Sequence, residues 1–210
     1  MIVLNNITVK FGEKTVLENL NVSFDEGKKY AIMGPSGCGK TTILNVISGL
    51  IKVKSGSVQN TQKNKISYVF QEPRLYDWMN VTENVSIVSS LPKKKADERA
   101  REILTSLGLE DSLDLFPAEL SGGMKQRVSI ARAIAYDPDI LLIDEPFKAL
   151  DEDMKKSVAE YLFSVMEDKT VIMVTHDASD TYYTDHTAIV TNAPISKLDM
   201  VKSNSDLLNK

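Results

Sequence analysis

The segment Gly34-Pro35-Ser36-Gly37-Cys38-Gly39-Lys40-Thr41 puts two glycines, a lysine and a hydroxyl at every fixed position of the pattern G-x-x-x-x-G-K-[ST]. That spacing suits the capture of a phosphate chain. Glycines let consecutive backbone N–H groups close around anionic oxygens, an ammonium meets the β and γ oxygens, and the neighbouring hydroxyl can bind magnesium. Lys40 and Thr41 are the residues placed for those two tasks. An apolar run over residues 29–33 leads into the loop, and Ile43, Val46, Ile47 and Leu50 would form the buried face of a helix leaving it. A glycine-rich turn that merely starts a helix is the plainer alternative.

A second chemical feature lies about a hundred residues on, where Ile140-Leu141-Leu142-Ile143 runs directly into Asp144-Glu145-Pro146. Two carboxylates then sit at the carboxyl end of a buried strand, where open α/β sheets hold their ligands. Acids in that position are costly unless a cation or hydrogen-bond donors face them. Asp144 is the natural magnesium partner, and Glu145 is the candidate base or positioner of an attacking water. The third feature is Leu120-Ser121-Gly122-Gly123-Met124-Lys125-Gln126-Arg127. Ser121 can cap a helix there, and Met124, Val128, Ala131 and Ile134 line up on one apolar face. The free N–H groups of such a helix start attract an anion, although a loop and a cap would also account for Ser-Gly-Gly.

The elements that must position these groups change character along the chain. Ile2–Phe11 and residues 16–24 alternate apolar with polar side chains around the turn-prone Gly12-Glu13-Lys14, which predicts an antiparallel start. From residue 29 onward short apolar strands precede helices, the pattern of a parallel sheet covered on both faces. The core strands are expected at 29–33, 66–70, 139–144 and 170–175. Residues 72–135 are expected to form an inserted helical subdomain, in which Ala96, Ala100, Ile103, Leu104 and Leu107 repeat at helical spacing. Lys93, Lys94, Lys95, Asp97, Glu98, Arg99 and Arg101 would make its solvated face. The fold class predicted is α/β, with a mainly parallel sheet around the phosphate loop. A single domain spans 1–210, its core formed by 1–71 and 136–210.

At 210 residues, 42% hydrophobic and 26% charged, the chain suits one globular domain. No apolar run reaches the roughly 18 to 20 residues that cross a bilayer, and the first residues lack the features of a signal peptide, so a soluble cytosolic protein is expected. Cys38 is the single cysteine, which excludes an internal disulfide and a cysteine-based metal site, and His176 and His186 add little for zinc. A net charge of −4 lacks the bulk positive field that nonspecific nucleic-acid binding needs, so no nucleic-acid partner is expected.

In this order the motifs resemble the nucleotide-binding subunit of ATP-binding cassette (ABC) transporters, over roughly residues 2–190. Residues 34–41 match the family's Walker A motif, Leu120 to Gln126 its signature, and Ile140 to Glu145 its Walker B with the following glutamate. Gln71 resembles the Q-loop glutamine, Ala149-Leu150-Asp151 the D-loop, and Thr175-His176-Asp177 the switch histidine. Phe11 falls where the family places an adenine-stacking aromatic, more often tyrosine. The resemblance implies ATP and Mg2+, with Gly34 to Thr41 and Thr42 around the phosphates and Thr41, Gln71 and Asp144 at the metal. It implies that Glu145, His176 and Gln71 serve the chemistry. Two cassettes would close head to tail, so that Ser121, Gly122 and Gly123 act on the ATP of the other subunit and Asp151 links the two sites.

Residues 72–85, with Met124 and Phe147, are similar to the import cassettes of the nitrate, sulfonate and taurine group. In that group the 71–85 region forms a groove for a short helix of an integral membrane permease. Tyr76, Trp78 and Met79 suit such a groove, while Trp78 also suits an ordinary core. The resemblance further implies a place on the cytoplasmic face of the membrane and a substrate-binding protein outside it. Asp77, where proline is frequent, and Lys148, where glycine or serine is common, depart from the pattern and bear on the permease contact and the D-loop. The short tail is expected to leave no large regulatory domain. Two other readings compete: a soluble ABC-type ATPase of DNA repair or translation, and a small-molecule kinase, which leaves Ser121 to Gly123 and His176 without roles.

Overall fold

The computed structural model describes residues 1–62 and 64–201; residues 202–210, counted in the expected domain, lie outside them. In chain order the strands and helices are β1 (Ile2–Phe11), β2 (Lys14–Phe24), β3 (Lys29–Met33), α1 (Lys40–Ile47), β4 (Ser55–Gln59), β5 (Ile66–Val69), α2 (Val81–Ser86), α3 (Lys93–Ser106), α4 (Gly122–Ala135), β6 (Ile140–Asp144), α5 (Glu152–Val165), β7 (Thr170–Thr175), β8 (His186–Ile189) and β9 (Asp199–Val201). They divide into two compact units. Met1–Ile66, Asp139–Glu145 and, among the described residues, 168–201 form the first, and Ser67–Pro138 with Pro146–Glu167 the second. The sequence expectation put 146–167 with the core, whereas α5 packs against α4 within the second unit.

The first unit has an antiparallel sheet in the order β2-β1-β4. Leu4, Ile7, Val9, Leu17, Leu20 and Phe24 are buried, but the step from Leu4 to Ile7 breaks strict alternation. A bulge absorbs the extra residue: Asn6 adopts φ 51°, a left-handed conformation that asparagine tolerates better than most residues. Asn21 holds it there, accepting from the Asn6 N–H at 2.9 Å and donating to its side-chain oxygen at 3.0 Å.

The parallel sheet of the same unit runs β6-β7-β3-β8, with β9 antiparallel to β8. All residues of β6 and β7 are buried, as expected of strands covered on both faces. The register aligns their ends: Met33 lies opposite Thr175, and Asp144 opposite Val174. The chain segments that begin at Gly34, Glu145 and His176 therefore leave one edge of the sheet side by side.

Helix α1 packs on β6 and β7 through buried Ile43, Leu44, Val46 and Ile47. Leu50, expected on that face, is instead exposed. Gly49, at φ 75°, ends the helix by accepting a left-handed conformation, with its N–H donating to the Val46 carbonyl, and the chain turns away before Leu50. Strand β2 starts at Lys14, so the turn shrinks to Gly12 and Glu13.

In the second unit α3 buries Ala96, Ala100, Ile103 and Leu104, with Leu107 just beyond. Its charged face carries the exposed pair Arg99–Glu102 and the pair Lys93–Asp97, in which Asp97, expected in solvent, is half-buried. Helix α4 buries Val128, Ala131 and Ile134; Met124, expected beside them, is half-buried near the helix start. A capping box opens α2, in which the Asn80 side chain accepts from the Glu83 N–H and the Glu83 carboxylate from the Asn80 N–H.

Candidate active site

The phosphate loop has a buried floor and an exposed rim. Pro35, Ser36 and Gly37 face solvent, while Cys38, Lys40 and Thr42 are buried. At Gly39, φ is 113° and a Cβ would lie 2.5 Å from the Val16 side chain, so only glycine lets the loop enter α1 on this path. Lys40 folds back over the loop, its Nζ donating to the Gly34 and Pro35 carbonyls at 2.8 Å each, with the Cys38 Sγ at 4.0 Å. An ammonium held this way stands over the backbone N–H groups that would meet the anion.

Thr41 Oγ1 donates to Asp144 Oδ2 at 2.8 Å. That contact joins residues 103 positions apart and puts a hydroxyl and a carboxylate, both hard oxygen donors, at one point. Burial raises the Asp144 carboxyl above its ordinary range; the Thr41 hydrogen bond opposes that, Glu145 adds to it, and Lys40 opposes it. Among the described residues no three His, Cys, Asp or Glu gather as a metal cage. Magnesium fits this donor set as an ion that brings its other oxygen ligands with the phosphates.

Glu145 leaves β6 at φ 47°, a left-handed conformation costing a non-glycine residue roughly 1–2 kcal/mol. Its N–H donates to the Val174 carbonyl at 2.9 Å. The carboxylate, 13% exposed, approaches the Nδ1 of His176 at 3.2 Å, and the His176 ring is 52% exposed. With the carboxylate accepting, Nδ1 is the donor. Phe11, at the end of β1, is exposed in the same unit.

The second unit holds the other predicted residues. Ser121 caps α4, its Oγ accepting from the Met124 N–H at 3.2 Å. Asp151 caps α5, its Oδ1 accepting from the Met154 N–H at 3.0 Å. Gly122 is exposed, with open space where a Cβ would lie. At Gly123 a Cβ would meet the Ala149 carbonyl oxygen at 2.9 Å, so the glycine packs the start of α4 against the segment before α5. Gln71, Asp77 and Lys148 are on the surface, and Phe147 is buried. Trp78 is 72% exposed, which removes the core alternative for it; with Met79, Ile87, Leu91 and Asp97 it lines a groove of about 470 Å3.

Three residues escaped the sequence reading. Arg127 donates to the Leu107 and Gly108 carbonyls at 2.8 Å each; burial lowers its affinity for the proton, and Asp151 and then Glu110 oppose that. Asn84, fully buried, and Arg132 both hold the loop that carries Trp78. No local spacing marks these side chains, because their partners are backbone groups brought up by folding.

A strand–loop–helix phosphate cradle, with a carboxylate from the end of β6, one strand removed from β3, on its last hydroxyl, defines a P-loop ATPase. More closely, the ABC transporter family model matches residues 17–148, and the chain belongs to that family. It is 36% identical over 213 aligned positions to the aliphatic sulfonates import ATP-binding protein SsuB of Bacillus cereus, covering 96% of this chain and 85% of that protein. Its identity to the bicarbonate transport ATP-binding protein CmpD of Synechocystis is 42% over 197 positions, covering 87% of this chain and 70% of that protein. Among solved structures it is similar to the dimeric ATP-binding cassette MJ0796 in a post-hydrolysis state with ADP and Pi. That match has a TM-score of 0.87 at 32% identity and covers 96% of this chain and 98% of the other.

Two expected outcomes follow from the geometry. Because the Gly123 Cβ position runs into backbone, Gly123→Ala will displace the Ala149 segment and lower stability by about 1–3 kcal/mol, read by denaturant unfolding. Asp144 binds its proton more tightly folded than unfolded, so its contribution to stability is complete below the unfolded pKa and is lost as pH rises through the folded one. Asp144→Asn keeps an acceptor for Thr41 and removes the buried charge. In the absence of nucleotide it will raise Tm near pH 7, and the gain will shrink as pH falls towards about 4.

Proposed function

We propose that this ATPase powers a membrane importer for small anionic solutes of the sulfonate, nitrate and bicarbonate kind, working on the cytoplasmic face of the membrane. The observation that carries the chemical part is the meeting of two pairs, Thr41 with Asp144 and Glu145 with His176, in one unit at the carboxyl ends of adjacent parallel strands. The import part rests on the likeness to SsuB and CmpD over most of the chain.

In this reading MgATP enters with its phosphates against the N–H groups of residues 34–42 and the adenine against Phe11. Lys40 exchanges its loop carbonyls for the β and γ oxygens. Thr41, Asp144 and Gln71 would hold magnesium, which would neutralise charge on the β and γ oxygens. Glu145 orients the attacking water and takes its proton as the bond between the γ phosphorus and the bridging oxygen breaks. His176, oriented by its contact with Glu145, lies toward the γ-phosphate as the side chain that meets it. Ser121, Gly122 and Gly123 complete the ATP site of a second copy, and Asp151 lies at that junction. The groove beside Trp78 and Met79 receives a helix of the permease, and a binding protein outside the membrane delivers the solute. No described helix is long and apolar enough to cross a membrane, so passage of the solute falls to the permease.

The test uses the purified subunit with MgATP. Glu145→Gln should lose roughly 10²–10⁴ in turnover, still bind ATP, and accumulate as an ATP-dependent dimer by light scattering. Adding Ser121→Arg should leave ATP binding intact and abolish the dimer. Undiminished hydrolysis in the Glu145→Gln protein removes Glu145 from the mechanism, and pairing that survives Ser121→Arg removes the composite site.

A further inference from the structure

Helix α4 has one end at Ser121 and the other at Ala135, about 20 Å away at 1.5 Å per residue. Near the far end, Arg132 leaves the helix and donates from Nη2 to the Arg74 carbonyl at 2.9 Å, with its guanidinium carbon 5.7 Å from the centre of the Tyr76 ring. Among the described residues no carboxylate pairs with it. A partly buried guanidinium satisfied by one carbonyl and one aromatic face is specific to the position of that loop, because neither partner follows the charge if the loop moves away.

The loop itself is rigid. Asn84 of α2 accepts from the Tyr76 N–H at 2.8 Å and donates to the Tyr76, Met79 and Asn80 carbonyls at 3.0, 2.9 and 3.1 Å. Arg74 stacks 3.8 Å over Phe70, and Tyr76 leans on Trp78 with ring centres 5.3 Å apart. Buried Val128, Ile130, Ala131 and Ile134 fix α4 along its length. A displacement at Ser121 is thus delivered to Arg74 and Tyr76 rather than absorbed within the helix.

We infer that Arg132 is the positioning residue that ties the ATP-sensing end of α4 to the exposed Trp78 loop, so that ATP-driven pairing at Ser121 is felt at the surface offered to the permease. This rests on the paired site proposed above. It adds a single side chain through which the two ends communicate, with no contact to nucleotide. Capture of Ser121 by the second subunit's ATP restrains α4; through Arg132 the restraint lowers the frequency with which the 74–80 loop opens.

Hydrogen exchange measures this directly, because the amides of Arg74, Tyr76 and Met79 are hydrogen-bonded, to the Glu72 carbonyl, the Asn84 side chain and the Tyr76 carbonyl. In the full chain carrying Glu145→Gln, MgATP should slow exchange both at 121–125 and at 74–80. Adding Arg132→Leu should leave dimerisation and the slowing at 121–125 in place while the ATP-dependent slowing at 74–80 is lost. Arg132→Gln, which keeps a polar group at the half-buried site, is the companion variant if the leucine protein does not fold, and the same loss is expected. Retention of the ATP-dependent slowing at 74–80 in these variants overturns the assignment, even if the loop exchanges faster overall, as does its absence in the parent. Absence of slowing at 121–125 in the parent instead refutes the paired site.

Discussion

The register of three neighbouring parallel strands is the constraint on which the catalytic half of this molecule depends. β3, β7 and β6 are hydrogen-bonded so that Met33 lies opposite Thr175 and Asp144 opposite Val174, which ends the three strands within a residue of one another. Their apolar interiors exclude water from both faces, and polar groups can appear only where the strands stop. The phosphate loop, the acidic pair and the histidine then occupy one edge although they lie far apart in the chain. A slip of one residue in β6 would turn Asp144 to the opposite face and separate it from Thr41.

The same edge concentrates features that stability alone would not favour. Asp144 is buried with its charge opposed by desolvation, and Glu145 sits at φ 47°, where most side chains are strained. Asp144 meets the Thr41 hydroxyl, and Glu145 has a backbone hydrogen bond to Val174 and the His176 imidazole beside its carboxylate. A divalent cation on Thr41 and Asp144 would offset the buried negative charge. Its binding with ATP is thus expected to relieve part of the electrostatic cost of the free protein, which is how a ligand comes to drive a change of state.

In the second unit the framework is a helix rather than a sheet. α4 starts at a serine cap and glycines packed on the Ala149 segment, and ends at an arginine held by the Arg74 carbonyl. Both attachments are made to backbone, which gives them positional stringency that a pair of flexible side chains lacks. Asn84 plays the matching part from α2, with its full hydrogen-bonding capacity spent on residues 76–80. The exposed Trp78 is carried on a framed loop, which suits recognition of a shaped partner.

The sequence by itself determined the features that depend on neighbours within one turn or one strand. The glycines around Lys40, the capping residue Ser121, and the apolar runs ending at Gly34 and Asp144 are local, because backbone conformation and short hydrogen bonds are set by adjacent side chains. Periodicity failed where a single backbone event interrupts it: Gly49 stops α1 before Leu50, and the Asn6 bulge resets β1. Strands β4, β8 and β9 went unread because they are short, and β4 and β9 are largely exposed, so burial imposes little pattern on them. Only the tertiary structure decided that His176 meets Glu145, that Thr41 meets Asp144, that α5 packs with α4, and that Arg132 reaches Arg74. Those contacts come from strand order and helix packing, in which residues 31 to 103 positions apart become neighbours. No spacing along the chain encodes that distance.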